Sequence, residues 1–273
     1  MGAPMARNVA AAGLDVVVWD RTREKAEAVE GATVADSPAG ATDGADFMIT
    51  MLSDGAAVES AAPDALREGL TWLQMSTVGL DATERLMKLA EARGVTYIDA
   101  PVSGTKEPAE KGALIVLASG DPDAIARARP IFDAVAAKVI ELGAAGEGQR
   151  LKLVANTWVV AIAESTAETF AFAEALGVDP RKFLEVIEGG PLDVGYARAK
   201  GELILKREFP PSFPLRLALK DVRLVQEAAR EAGMDLPLAE MIARQFERAA
   251  EDGHGDEDLA ATWFAVARDA DVT

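Results

Sequence analysis

Lys152 and Asn156 are the first residues to examine for chemistry, because they are polar side chains in an otherwise apolar stretch. They lie four apart in a segment, 149–175, whose spacing predicts one long helix, so they share one helix face. A lysine in apolar surroundings is costly unless it has a partner or a role. Its ammonium is suited to giving a proton to an alkoxide forming from a carbonyl, with Asn156 orienting the substrate. The other reading is a lysine at the helix start that snorkels to solvent. A second group is Asp99-Ala100-Pro101-Val102-Ser103-Gly104-Thr105, which follows a strand signal. Two hydroxyls around a flexible glycine suit a substrate carboxylate, and a plain turn fits the same residues. Lys220-Asp221, with Phe213 ahead of it, reads alone as a surface ion pair and a core aromatic.

These groups need a scaffold, and the sequence supplies two rhythms. Residues 1–145 alternate short apolar strands with helices: helix 4–12, strand 16–20, helix 23–30, then strands near 33 and over 47–52, 72–76, 96–99, 113–118 and 139–142. Strands apolar on both faces and separated by helices predict a Rossmann-type, doubly wound parallel sheet, with one of the last two strands free to be antiparallel. After the glycine-rich stretch 143–148 the strand signals vanish. Residues 146–273 predict an all-helical domain, with helices over 149–175, 180–188, 194–205, 216–232, 238–251 and 256–267. In a doubly wound sheet, ligands bind at the carboxyl ends of the strands, where Ser103, Gly104 and Thr105 would lie.

Asp20 ends the valine-rich strand and is followed by Arg21-Thr22. At that position of a dinucleotide fold a carboxylate accepts bonds from the ribose hydroxyls and repels a 2′-phosphate, which argues for NAD. Arg21 with Thr22 can pair with that phosphate, which argues for NADP. The start of the chain reads as the end of a motif. Such folds open with a buried strand and G-x-G-x-x-G at the strand-to-helix turn. Gly2 stands where the third glycine would be, with a helix directly after it. The expectation is an N-terminally truncated sheet, from translation that begins upstream with Met1 internal, or from genuine truncation. In that form cofactor binding is expected to be weak at best.

Composition narrows the rest. With 273 residues, 49% of them hydrophobic, the chain can bury a substantial core. A net charge of −17 argues against nucleic acid or an anionic membrane as partner. With no cysteine and one histidine, thiol chemistry is excluded and no metal site is expected. No signal peptide or spanning segment is visible, and a cytoplasmic protein is the expectation.

Taken together, the motifs resemble the β-hydroxyacid dehydrogenase family, which includes 3-hydroxyisobutyrate dehydrogenases and glyoxylate/succinic semialdehyde reductases. The resemblance rests on Met1-Gly2 with Pro4-Met5-Ala6 and Asn8, Met51-Leu52-Ser53-Asp54, Ser76-Thr77-Val78, the segment Asp99 to Gly104, Gly146-x-Gly148-x-x-x-Lys152-x-x-x-Asn156, and Lys220-Asp221. It implies Lys152 as the group that moves the proton and Asn156 as its substrate-orienting partner. It implies Ser103, Gly104 and Thr105 as the carboxylate loop, with Phe213 and Asp221 closing the pocket. It places Gly2, Met5, Asp20, Arg21, Thr22, Met51, Leu52, Ser76, Thr77 and Lys220 at the cofactor. Lys106 to Glu110 is closer to the semialdehyde-reductase branch, and members acting on 3-hydroxyisobutyrate usually carry glycine where Thr105 stands. The similar imine reductases usually lack the lysine. NADP-preferring members often end the strand in Asn-Arg-Thr. Asp20 replaces that asparagine here, and NADP is still expected over NAD. The resemblance further implies a small carboxylate substrate and a homodimer or higher homo-oligomer. A catalytically silent relative, acting as a binding or structural module, is the alternative expectation.

Overall fold

The computed structural model describes residues 1–267, which form two compact units dividing at Leu153 and Val154. In the first unit the chain runs α1 (Gly2–Ala11), β1 (Val17–Val18), α2 (Arg23–Glu27), β2 (Thr33–Val34), α3 (Pro38–Thr42), β3 (Phe47–Thr50) and α4 (Gly55–Ala65). It continues with β4 (Thr71–Gln74), α5 (Leu80–Ala92), β5 (Thr96–Asp99), β6 (Val102–Ser103), α6 (Lys106–Glu110), β7 (Leu114–Gly120), α7 (Pro122–Arg127), α8 (Arg129–Val135) and β8 (Ala136–Glu141). Short polar side chains start several of these helices. The Ser37, Asp54 and Asp121 side chains accept the backbone N–H of Gly40, Ala57 and Ala124, satisfying first-turn donors.

The expected sheet is present, in two pieces. β1 and β2 form a separate parallel pair. β3, β4 and β5 pair in parallel. β7 is antiparallel to both β5 and β6 and parallel to β8. The sheet is therefore mixed rather than parallel throughout. Side chains of β4 and β5 alternate between two cores. Trp72 and Tyr97 join Val58, Leu70 and Leu86 on one face, and Leu73 and Ile98 join Met5, Val9, Val116 and Phe132 on the other. Burial on both faces is why these strands are apolar at nearly every position.

The second unit is helical. The long helix α9 (Glu147–Ala175) begins in the first unit and continues into this one. It is followed by α10 (Pro180–Ile187), α11 (Gly195–Lys206), α12 (Leu215–Glu231), α13 (Pro237–Ala249) and α14 (Trp263–Ala267). The expectation of one helix over 256–267 is corrected: Asp258 forms a bridge with Pro214, a short 3₁₀ turn spans Leu259–Thr262, and only then does α14 begin. The reason is Asp258, which is fully buried. Its carboxylate takes both a salt bridge from Lys200 and the N–H groups of Ser212, Phe213 and Ala260. That set of bonds requires extended backbone at Asp258. No described helix is long and apolar enough to cross a membrane.

Candidate active site

The first unit gathers its candidate residues at the carboxyl ends of β3, β4 and β5. Gly2 opens α1 beside Met51, and a Cβ on it would rest 3.5 Å from the Met51 carbonyl oxygen. Met1, ahead of α1, places no side-chain cap on the helix, so the leading N–H groups have no capping acceptor from it. A helix start of this kind, next to strand ends, fits a phosphate of a dinucleotide. Met5 lies one turn on, but its side chain is buried in the core beneath α1. Asp20 and Thr22 form a small turn after β1, with the Thr22 N–H donating to Asp20 Oδ1 at 2.8 Å. Arg21 and Thr22 are exposed there.

Ser76 joins β3 to β4 rather than facing outward. It is fully buried, accepts the Leu52 N–H at 2.8 Å and donates to the Thr50 carbonyl at 3.2 Å. Its hydroxyl therefore sets the shape of the segment carrying Met51 and Leu52. Thr77 and Leu52 are partly exposed beside it. Asn8, part of the opening motif, donates to the Ala109 carbonyl at 2.8 Å, which ties α1 to the helix following the serine loop. In that loop Ser103 and Thr105 are partly exposed and Gly104 is exposed. Gly104 has φ +132°, and a Cβ on it would come 2.7 Å from a Leu114 methyl, so only glycine fits.

Lys152 is 8% exposed and lies on the second turn of α9. Asn156, one turn further, is 1% exposed. In the second unit Asn156 Nδ2 donates to Asp221 Oδ2 at 2.8 Å, and the Lys220 ammonium lies 2.7 Å from Asp221 Oδ1. Asn156 Oδ1 is buried with no hydrogen-bond partner in the protein. Asp221 is itself buried, so the reading of Lys220-Asp221 as a surface pair is corrected: the aspartate belongs to the interior of α12 and α9. Phe213 is half-buried and held through its backbone, with its N–H on Asp258 Oδ2 at 3.2 Å and its carbonyl accepting the Leu259 N–H.

Two residues here, Asp99 of the 99–105 motif and Gln149, gain no role of their own from sequence. Asp99 is fully buried at the end of β5, and Gln149 is fully buried in the first turn of α9. The Gln149 N–H donates to Asp99 Oδ2 at 2.7 Å, and its Nε2 donates to Asp99 Oδ1 at 3.1 Å. Burial pushes the Asp99 carboxyl up to about 6, against the downward pull of hydrogen bonds from Gln149, Ser119 and Gly146. The available signal was a glutamine directly after the Gly146-x-Gly148 turn, which looks like ordinary helix-start polarity. Among the described residues no group of three or more acidic or histidine side chains could hold a metal ion.

Two family models match the chain. Residues 1–143 match the NAD binding domain of 6-phosphogluconate dehydrogenase, and residues 146–264 match the NAD-binding domain of NADP-dependent 3-hydroxyisobutyrate dehydrogenase. Glyoxylate/succinic semialdehyde reductase 1 of Arabidopsis thaliana is 32% identical, with 97% of this chain and 95% of the relative covered. A probable 3-hydroxyisobutyrate dehydrogenase of Mycobacterium bovis is 32% identical over all of this chain and 96% of its own. The solved 3-hydroxyisobutyrate dehydrogenase of Mycobacterium tuberculosis with L-serine is 30% identical, with a TM-score of 0.86 and 97% and 95% of the two chains covered. Matches that run through both units do not favour the alternative of a silent binding or structural module. With the motif residues in order and similarity along nearly the whole length, this chain belongs to the β-hydroxyacid dehydrogenases, NAD(P)-dependent oxidoreductases acting on hydroxy acids.

Proposed function

We propose that this enzyme interconverts a short hydroxy acid and the corresponding semialdehyde or oxo acid, with Lys152 as the proton-transfer group. The observation that carries the reading is the α9 pair. A buried lysine lies one turn from a buried asparagine whose Oδ1 has no partner in the protein while its amide is anchored on Asp221. A buried amide oxygen without a donor is unfavourable, and a substrate hydroxyl would satisfy it. In the reducing direction, a nicotinamide held by the first unit would supply the hydride that the carbonyl carbon accepts. The carbonyl electron pair moves to oxygen, and the Lys152 ammonium gives that oxygen its proton. In the oxidising direction Lys152 would take the hydroxyl proton while the carbinol carbon's hydride would pass to the oxidised nicotinamide. Ser103, Gly104 and Thr105 are assigned to the substrate carboxylate, and Phe213 and Asp221 are the second unit's assigned substrate contacts. The relatives' substrates, glyoxylate, succinic semialdehyde and 3-hydroxyisobutyrate, are short carboxylates of this kind.

At the cofactor we place Gly2 and Met5 under the phosphates, with Met51, Leu52, Ser76, Thr77 and Lys220 along it. Met5 and Ser76 contribute through backbone and loop shape, since their side chains are buried. Asp20, Arg21 and Thr22 meet the adenosine ribose. NADP is favoured over NAD because Asp20 is drawn into the turn at Thr22 while the Arg21 guanidinium is exposed. We further infer a homodimer or higher homo-oligomer. Val154, Trp158 and Phe172 form an exposed apolar stripe along α9, each 65% exposed, which a second copy would cover. Light scattering that gives the monomer mass at micromolar concentration overturns this.

The decisive test is Lys152→Ala, assayed with glyoxylate, succinic semialdehyde and 3-hydroxyisobutyrate and both cofactors. Turnover falls by about 10²–10⁴-fold, the range of a lost general acid–base, with circular dichroism unchanged. Turnover within a few-fold of wild type removes Lys152 from the chemistry.

A further inference from the structure

The start of α9 carries a buried polar junction that the proton transfer and substrate binding above do not use. Gln149 Oε1 accepts the Val78 N–H at 3.0 Å, and its Nε2 donates to the Ser76 carbonyl at 3.0 Å as well as to Asp99. The Gly148 N–H donates to Ser119 Oγ at 2.9 Å, and that hydroxyl lies 3.3 Å from Asp99 Oδ2. Packing leaves no slack: a Cβ on Gly148 would come within 2.5 Å of the Leu117 carbonyl oxygen and 2.9 Å of Asp99 Oδ2. All of these residues belong to the first unit. One glutamine side chain thus joins the loop after β4, which holds Ser76 and Thr77, to the end of β5, which leads into Ser103, and to the helix turn preceding Lys152.

We propose that Gln149 and Asp99 are positioning residues for the reaction: their hydrogen-bonded clasp locks the first turn of α9 onto the loop after β4 and the end of β5, and so sets where Lys152 presents its proton. The proposal rests on the Lys152 reading above. Its physical basis is that the Asp99 carboxylate accepts donors from the start of a 29-residue helix. A negative charge is favoured there, and charge-assisted bonds are about twice as strong as neutral ones. Proton transfer is steeply sensitive to geometry, and a displacement of about 1 Å can cost on the order of 100-fold in rate.

Protonation of Asp99 replaces a charge-assisted acceptor with a neutral acid, so the clasp loosens as pH falls through about 6. The surrounding groups leave this titration to Asp99. β4 and β7 carry no titratable side chain. Tyr97, on the same strand, is held protonated because burial pushes its phenol well up, and α5 brings Glu84, Lys88 and Glu91 to a groove beside that tyrosine. α7, also packed on β5, carries Asp123 and Arg127. On α9, Glu147 turns to the Gly143 N–H at 2.9 Å, and Lys152 follows one turn after Gly148.

The experiment measures kcat and KM from pH 4.5 to 8 for the full chain, Asp99→Asn, Gln149→Ala and Gln149→Glu, with NADPH binding followed by fluorescence. Wild-type kcat falls below about pH 6 with one proton. Asp99→Asn and Gln149→Ala lower kcat about 10- to 100-fold, while KM and NADPH affinity stay within about threefold, and Asp99→Asn loses the acid limb. Gln149→Glu keeps the side chain's shape but sets a carboxylate against Asp99, so its kcat recovers as pH falls. That inverted slope carries the test if Asp99→Asn does not fold. Wild-type kcat in the Gln149 variants, or an acid limb that persists in Asp99→Asn, overturns the clasp. An inactive Lys152→Ala beside unaffected clasp variants rejects the clasp alone, and an active Lys152→Ala rejects the reading beneath it.

Discussion

Residue chemistry in this enzyme is set by which polar atoms are already committed. Asn156 spends its amide on Asp221 and leaves its oxygen unpartnered, whereas Ser76 spends its whole hydroxyl on Leu52 and Thr50. The types and order of these residues were legible in the sequence, but which atoms remained available was not, because that depends on partners 24 to 65 positions away. At the turn proposed to meet the adenosine ribose the same logic gives a prediction. Asp20 bonds to Thr22 and Arg21 is exposed, so Arg21→Ala weakens NADPH binding about tenfold and leaves NADH binding within about twofold, the loss of one charge-assisted phosphate contact. Titration of both cofactors by fluorescence checks it, and equal losses for the two would reject Arg21 as a phosphate ligand.

Elements here are positioned by glycines and buried charges more than by propensity. Gly148 lets α9 start against β5 and β7, and its contacts with the Leu117 carbonyl and Asp99 leave no room for a methyl group. Gly148→Ala therefore destabilises the first unit by about 1–3 kcal/mol, the range for overpacking, measured by urea unfolding. In the second unit the Lys200–Asp258 pair, 3% and 0% exposed, joins α11 to the loops at Ser212–Phe213 and Leu259–Ala260. Lys200→Met strands a buried carboxylate and costs about 3–5 kcal/mol, while Phe213, a substrate contact in the proposal above, loses the support of its N–H bond to Asp258. A stable Lys200→Met variant with unchanged KM would contradict both effects. Periodicity located the main helices because each has an apolar stripe to bury. It failed at 256–267, where Asp258 was drawn into a distant ion pair that requires extended backbone.

Stability as a function of pH belongs to the scale of the whole molecule. Glu164, in the interior of α9, is 1% exposed with one oxygen on Thr262 and the other without a partner. Burial, with Glu168 adding to it, pushes its carboxyl up to about 7. A folded value above the unfolded one means that the contribution is full below the ordinary carboxylate range and is lost as pH rises through about 7. Glu164→Gln, which keeps an acceptor for Thr262, raises stability at pH 8 by up to about 3 kcal/mol, and the gain shrinks toward pH 5. Thermal unfolding at the two pH values checks it, and an equal shift at both would exclude titration of Glu164.

The sequence by itself determined the two-part architecture and the residue types from which the site is proposed. Apolar strands alternating with helices pointed to a doubly wound sheet, the loss of that rhythm after residue 148 pointed to a helical unit, and Lys152 with Asn156 at helical spacing stood out as the candidate pair for the proposed proton transfer. These are local properties, carried by period and residue type. Tertiary structure decided the rest: the antiparallel β7, the division of β1 and β2 from the main sheet, the anchoring of Asn156 on Asp221, and the Asp99–Gln149 junction beneath Lys152. Each depends on contacts between residues far apart in the chain. Burial and hydrogen bonding to a remote partner change what a side chain can do, and no spacing within a segment records them.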